Sequence, residues 1–403
     1  MKPEKFYNLY SFMSSFGMCL SVGVYIPYLI LLGLSKADIF LINAIFWLTI
    51  SSSEVVTGML ADGKSRAWSV RTGLLISVLG ALTYATATLA IAKWQIFTIA
   101  LVAEILMGIG MSFTSGAQQA WLSDALKRHG RPKDYQVRAF ARSAKWGSFG
   151  MLLGGSVSFL FPARYFSIGW IVCSAILFAN WSLCKLRMNG DGEPVERTTE
   201  LKSLKDSWCA ISSNRQLQWA ALAGMMLGFV LPFNLTWVPH FTSVVETSSQ
   251  SSALTAAFWI LINCGLMLGN RWVEKSHTIS EKQTVSIPLA LFFTGVGLAA
   301  LGLVNGWLLP IAFVLLHELG RGMFQPLMDG YIYSRVESSY KATYGSLQSM
   351  VSRSGFALVL FVGWWLLRGH DVNASDGLIW PVAGLCLVAC ATLLWIIRPR
   401  QTA

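Results

Sequence analysis

Two glutamates and an arginine stand inside long apolar stretches of this sequence, and their types and spacing set what the chain could do. Glu104 is the one charged residue between Trp94 and Leu122, and Glu318 and Arg321 lie three residues apart with His317 beside them. A carboxyl held away from water is a proton carrier, because burial disfavours its charged form, and a guanidinium beside it can hold that charge or an arriving anion. Glu104 and Glu318 are ten and eleven residues past Trp94 and Trp307, which at ~1.5 Å per residue puts both ~15 Å along a helix, near the middle of a bilayer. They are the expected proton-coupling pair. Glu104 has no basic residue within a turn, whereas Glu318 has Arg321, so Glu104 is the expected carrier and Glu318 is expected to be paired.

At 100° per residue, Glu104, Gly108, Met111, Ser115 and Gln118 share one sector, as do Glu318, Arg321, Gly322, Gln325 and Asp329. Polar stripes in otherwise apolar helices are expected to face a cavity and not lipid. Gln118, His317, Arg321 and Gln325 are then the expected substrate contacts. Single polar residues such as Asn43, Asn234, Asn263 and His240 are expected to bond neighbouring helices. Tyr25, Tyr28 and Trp237 could wall a cavity, but aromatics near span ends are more often interfacial anchors, and that is the expectation here.

The elements that must position these groups are membrane-spanning helices. Apolar residues make up 54% of the 403 positions and charged ones 13%, about half the charged share usual in soluble proteins. Twelve spans follow, at roughly 6–32, 37–61, 71–92, 94–122, 137–161, 165–184, 217–241, 253–272, 285–304, 307–332, 342–367 and 378–397. The first run lacks the cleavage pattern of a secretory signal and reads as a retained helix. Residues 187–215 are polar and begin with Gly190-Asp191-Gly192-Glu193-Pro194, a cytoplasmic linker with a surface helix expected around Leu201 to Ile211. The expected organisation is an all-α membrane protein of two pseudo-symmetric six-helix bundles, residues 1–186 and 216–403. An internal echo supports it: Gly108-Ile109-Gly110-Met111 recurs as Gly320-Arg321-Gly322-Met323.

The net charge of +11 needs no nucleic acid partner. With both termini cytoplasmic, only Lys36, Lys93, Arg164 and Arg368 fall on the outer side, and most of the remaining Lys and Arg lie on cytoplasmic segments.

Between the second and third spans lies Gly58-Met59-Leu60-Ala61-Asp62-Gly63-Lys64-Ser65-Arg66. This resembles the signature loop of the major facilitator superfamily, Gly-x-Leu-Ala-Asp-x-x-x-Arg, with Gly58, Leu60, Ala61, Asp62 and Arg66 matching. The preceding Glu54-Val55-Val56-Thr57-Gly58, and the fourth span from Glu104 to Asp124, are similar to a prokaryotic branch rich in drug/proton antiporters. The fifth span lacks that branch's Gly-Pro pair, and Glu104 stands about where drug exporters often carry arginine. The resemblance implies alternating access, with Gly58, Asp62, Arg66 and Asp124 as a gating motif. Asp62, Arg66 and Asp124 would form a charge network on one membrane face.

No Gly-x-x-x-x-Gly-Lys-Ser/Thr loop and no Cys/His cluster of ligand spacing is present, so neither ATP, another cofactor nor a metal is expected. The scattered carboxylates do not form an enzyme's nucleophile, base and orienter. The sequence therefore reads as a multi-pass, monomeric secondary transporter of the bacterial inner membrane, its partners being a small-molecule substrate, protons and the lipid bilayer. Proton-coupled export of a small amphipathic compound, such as a drug or antimicrobial, is the leading expectation. A proton-coupled transporter of a polar or anionic metabolite is the alternative, and a non-transporting signalling or assembly protein on a transporter fold is the third.

This topology makes a direct prediction. An impermeant thiol reagent applied from outside should label a single cysteine placed at Ser248 to Ser251 and should not label one placed at Gly190 to Pro194; outside labelling of the latter would invert the orientation.

Overall fold

Runs of ~20 apolar residues have no water to satisfy their backbone groups in a bilayer, so they close their hydrogen bonds internally as helices. The computed structural model describes residues 2–130, 133–159, 165–188, 214–243, 248–276, 278–279, 282–304, 308–333, 341–368 and 376–399. No strand occurs among them, and helices occupy each of the twelve stretches expected. They are α1 (Pro3–Leu31), α2 (Lys36–Gly63), α3 (Arg66–Ala85), α4 (Lys93–Thr114), α5 (Ala117–Arg128), α6 (Lys133–Ser158) and α7 (Phe166–Arg187). There follow α8 (Arg215–Met226), α9 (Leu231–Ser243), α10 (Ser248–Lys275), α11 (Gln283–Leu301), α12 (Leu308–Tyr333), α13 (Lys341–Leu367) and α14 (Asp376–Ile396). Nine stretches among the described residues are long and apolar enough to cross a membrane; α6, α10 and α12 are not among them. In α12 the reason is the polar stripe of His317, Glu318, Arg321 and Asp329. The linker readings at Gly190 to Pro194 and Leu201 to Ile211 fall outside the described residues.

Two expectations about helix boundaries need correction. The fourth span is not one helix: α4 stops at Thr114, Ser115 is extended, Gly116 takes φ +74°, and α5 starts at Ala117. A positive φ is a conformation glycine adopts without strain, and it turns the chain out of the α4 axis. Ser115 and Gln118 therefore do not continue the stripe of Glu104, Gly108 and Met111. The loop between the second and third spans is also shorter than its sequence suggested. Gly58 and Asp62 lie in the last turns of α2, only Lys64 and Ser65 are non-helical, and the Ser65 hydroxyl accepts from the Trp68 N–H at 3.0 Å to cap α3.

The chain forms two compact units, Met1–Leu201 with Thr247–Ala256, and Lys202–Glu246 with Ala257–Ala403. Each repeats the same pairings. In the first, α1 packs on α6, α3 on α4 and α3 on α7; in the second, α8 packs on α13, α11 on α12 and α11 on α14. The glycine echo is real but its roles are exchanged. Gly108 faces Phe46 and Thr49 of α2 and Gly110 faces Gly73 and Ser77 of α3, whereas Gly320 faces Ala290 and Thr294 of α11 and Gly322 faces Leu266 of α10.

A Cβ on Gly110 would sit 2.7 Å from the Gly73 carbonyl oxygen and 2.9 Å from the Ser77 nitrogen, both backbone atoms, while one on Gly58 would meet nothing within 4 Å. Forced overpacking costs about 1–3 kcal/mol. Gly110→Leu should therefore lower the melting temperature of the detergent-purified protein by several degrees or abolish folding. Gly58→Leu should leave it unchanged, and equal effects would refute this packing account.

Candidate functional site

In the first unit the polar groups converge on Glu104, which is 7% exposed. The Tyr84 hydroxyl, from the last turn of α3, donates to Glu104 Oε1 at 2.7 Å and lies 3.1 Å from the Tyr25 hydroxyl of α1. The Asn43 amide of α2 donates to the Tyr25 oxygen and to the Ile39 carbonyl, both at 3.0 Å. A phenol has one proton, so once Tyr84 gives its own to Glu104, the Tyr25 hydroxyl is the donor either to Tyr84 or to Glu104, which it also hydrogen-bonds. Either way Asn43, Tyr25 and Tyr84 are donors all aimed at one carboxylate. Trp170 of α7 stacks on Tyr84 with ring centres 4.3 Å apart, and Tyr25 stands edge-on to both rings. Tyr28 donates to the Tyr84 carbonyl at 3.0 Å. Tyr25 and Tyr28 are thus buried members of this network and not interfacial anchors.

The second unit presents a different arrangement. Arg321 Nη1 donates to Glu318 Oε1 at 2.9 Å and to Asn234 Oδ1 of α9 at 3.0 Å. The Glu318 side chain is fully buried, whereas that of Arg321 is 23% exposed. His317, also fully buried, places Nδ1 2.9 Å from the Thr294 carbonyl of α11. A carbonyl only accepts, so Nδ1 carries the hydrogen, and in the neutral ring Nε2 is left as a bare acceptor. That atom is 3.9 Å from Glu318 Oε1, and neither it nor Glu318 Oε2 has a hydrogen-bond partner among the described residues. Phe233 of α9 packs against the imidazole, and His240 and Phe233 both pack on Trp380. Trp380 in turn donates to the Thr236 hydroxyl at 2.7 Å.

A third cluster lies where α2, α3, α4 and α5 meet. Arg66 Nη1 bonds Asp124 Oδ2 across α3 and α5. Thr57 bonds Ser112 at 2.7 Å, and the Ser115 hydroxyl donates to Glu54 Oε1 at 3.3 Å, tying α2 to the break after α4. Lys64 sits over the Trp68 ring, 4.4 Å from its centre.

The structure thus brings Arg66 to Asp124, and Arg321 to Glu318 with His317 adjacent. The side chains of Asp62 and Asp329 lie outside the described residues, and a Cβ on Gly58 would meet nothing within 4 Å. Gln118 sits beyond the break on α5, and Gln325 is an exposed residue of α12 one turn past Arg321. Gly108 packs on α2, so it is a helix contact and not a cavity-lining position. Asn263 bonds the Trp259 carbonyl of its own helix at 2.8 Å and Trp237 stacks on Trp259. Sequence reasoning missed Tyr84 altogether. Its available signal was a tyrosine in the last turn of a span, adjacent to the helix that carries Glu104.

Solved structures with the same fold include that of the nucleoside transporter NupG, at a TM-score of 0.73 and 14% identity over 98% of this chain and 99% of that one. The POT family transporter PepTSo aligns at 0.77 and 11% identity over 98% and 97%, and a D-xylose-proton symporter at 0.70 and 14% over 99% and 98%. At these identities the likeness concerns the fold. No curated protein matches the sequence. The chain is a multi-pass membrane protein with a transporter fold, and because the family model described as Major Facilitator Superfamily matches it over residues 9–360, it belongs to that superfamily.

Proposed function

We propose that this protein is a proton-coupled secondary transporter of a small polar or anionic solute, working by alternating access of residues 1–186 against 216–403. The observation that carries the reading is the accessible guanidinium of Arg321, held on one side by fully buried Glu318 and by Asn234. A charge at bilayer depth costs ~2.5–3.5 kcal/mol or more, and such residues mark ion and substrate paths. Proteins of similar fold include nucleoside, peptide and proton-linked sugar transporters, which supports a small polar cargo. The apolar helices support a membrane location, the Lys and Arg distribution supports cytoplasmic termini, and the resemblance to a prokaryotic branch supports a bacterial source.

A second reading, proton-driven export of a small amphipathic compound, is favoured by the rings of Tyr25, Tyr84 and Trp170 around Glu104. The Trp170 indole nitrogen is buried with no hydrogen-bond partner among the described residues. Those rings are packed on one another, so a flat ligand would have to separate them, and for that reason the reading ranks second. A thermal-shift panel of sugars, nucleosides, dipeptides, carboxylates and lipophilic cations decides between the two, since a ligand stabilises the state it binds. Stabilisation by polar solutes supports the first reading, and stabilisation by lipophilic cations alone overturns it.

Proton carriage is assigned to Glu104 with Glu318. Glutamine at 104 keeps an acceptor for Tyr84 but cannot carry a proton. In proteoliposomes, Glu104→Gln should abolish accumulation of the stabilising solute driven by a proton gradient while preserving its binding and downhill exchange. Full proton-driven accumulation by that variant would remove Glu104 from the coupling.

The Gly58, Asp62, Arg66 and Asp124 group is assigned to gating on the cytoplasmic side. Asp62→Asn and Gly58→Leu should each slow transport several-fold with normal membrane insertion. Since a side chain at Gly58 meets nothing here, a loss there would report on the other conformation of the cycle. Unchanged transport in both variants would take the group out of the mechanism.

A further inference from the structure

Among the described residues, Arg321 spends one of its three nitrogens on hydrogen bonds. Nη1 holds both Glu318 and Asn234, and among the described residues nothing hydrogen-bonds Nε or Nη2. These two nitrogens form the edge of the guanidinium whose parallel N–H groups match a carboxylate in bidentate fashion. Beside this donor edge lies the opposite condition. Glu318 Oε2 and the bare Nε2 of His317 are two fully buried acceptors with no donor among the described residues, and Nε2 lies 3.9 Å from Oε1, the oxygen that Arg321 holds. The site lacks one hydrogen on that side and one pair of acceptors on the other.

Resting on the transport reading above, we infer that the solute is a small monocarboxylate and that it binds together with one proton, its carboxylate on the Nε and Nη2 edge of Arg321 and the proton on Glu318. The anion competes with Glu318 for the one positive charge. When a proton from solution settles on Glu318, the carboxyl becomes neutral and stops competing for the guanidinium. The site then holds the guanidinium and one monoanion, and remains neutral overall. A dianion such as a phosphate monoester would leave a negative charge uncompensated at bilayer depth, which is costly. Anion and proton therefore favour each other, and by linkage the effect is reciprocal.

Among the described side chains, no other ionisable group on the packed elements replaces Glu318 in this role. Helix α11 carries none, and on α8 the only one is Arg215, the first residue of the helix and exposed. On α9 the only one is His240, which packs on Trp380. On α10 there are Cys264, partly buried, the exposed Arg271 and Lys275, and Glu274, whose side chain lies outside the described residues. On α12 itself Asp329 lies two turns beyond Arg321 and Tyr331 further still.

The test is a binding titration of the purified full chain with acetate, 2-hydroxypropanoate, benzoate, benzenesulfonate, benzamide and phenyl phosphate at pH values from 5.5 to 8. At least one monocarboxylate should bind, tightening as pH falls by up to about tenfold per pH unit, the limit for one linked proton. Benzenesulfonate, ionised throughout, should show the same trend wherever benzoate binds, which places the proton on the protein. Glu318→Gln should bind with little pH dependence, Arg321→Lys at least tenfold more weakly, and phenyl phosphate should bind worse than benzoate. The inference is overturned if no monocarboxylate binds, if benzamide binds as well as benzoate, or if pH dependence survives in Glu318→Gln. If a neutral solute is instead carried with a proton, this inference falls and the transport reading stands. If a monocarboxylate binds with the stated pH dependence but never crosses a vesicle membrane, the transport reading falls and the inference stands.

Discussion

A charged side chain inside a bilayer must be answered by something, and the described polar groups of this protein are arranged by that requirement. Leaving a buried ion unpaired costs about 3–5 kcal/mol, a large fraction of the stability of a typical fold. Glu318 meets the requirement with Arg321, and Arg321 with Glu318 and Asn234. Glu104 meets it with phenols in place of a cation, through Tyr84 backed by Tyr25 and Asn43. The two solutions differ in what they leave open. The Glu104 network directs every donor inward, whereas the Arg321 cluster keeps an unused donor edge and unused acceptors side by side. On that difference rests the division of labour proposed between the units, with proton exchange in one and recognition linked to a proton in the other.

These networks reach across helices only because the helices lie close. Glycines let α4 touch α2 and α3, and let α12 touch α10 and α11, at backbone distance, as expected where lipid offers no hydrophobic drive and packing supplies the attraction. The pairings repeat in the two units while the glycine assignments do not. The fold therefore repeats where packing demands it, and the chemistry differs where function demands it, which is consistent with glutamates that are alike in depth but unlike in partners.

Much of this was legible in the residue order. The apolar runs located the helical stretches, nine of them among the described residues by length and hydropathy alone, while α6, α10 and α12 carry more polar residues. The three-residue spacing of Glu318 and Arg321 put the pair on one face, and Arg66 and Asp124 were expected in one charge network. What the order concealed was three-dimensional. The break at Ser115-Gly116 hides in an apolar context, because one glycine in a span is usually only a packing residue, and it removed Gln118 from the stripe of Glu104. The convergence of Tyr25, Asn43 and Tyr84 on Glu104 joins four helices, so no local spacing announces it. Aromatic residues near span ends are more often anchors, and that prior concealed two members of the network.

The central claim is that the charge of Arg321 is shared between Glu318 and the cargo, so that an anion enters only as a proton does. Calorimetric titration of a bound monocarboxylate in buffers of different ionisation enthalpy measures the protons exchanged per anion directly. The account predicts uptake of up to one proton per anion on the alkaline side of the Glu318 titration, and none in Glu318→Gln. Binding with no proton exchange, or with proton release, across that whole range would contradict it.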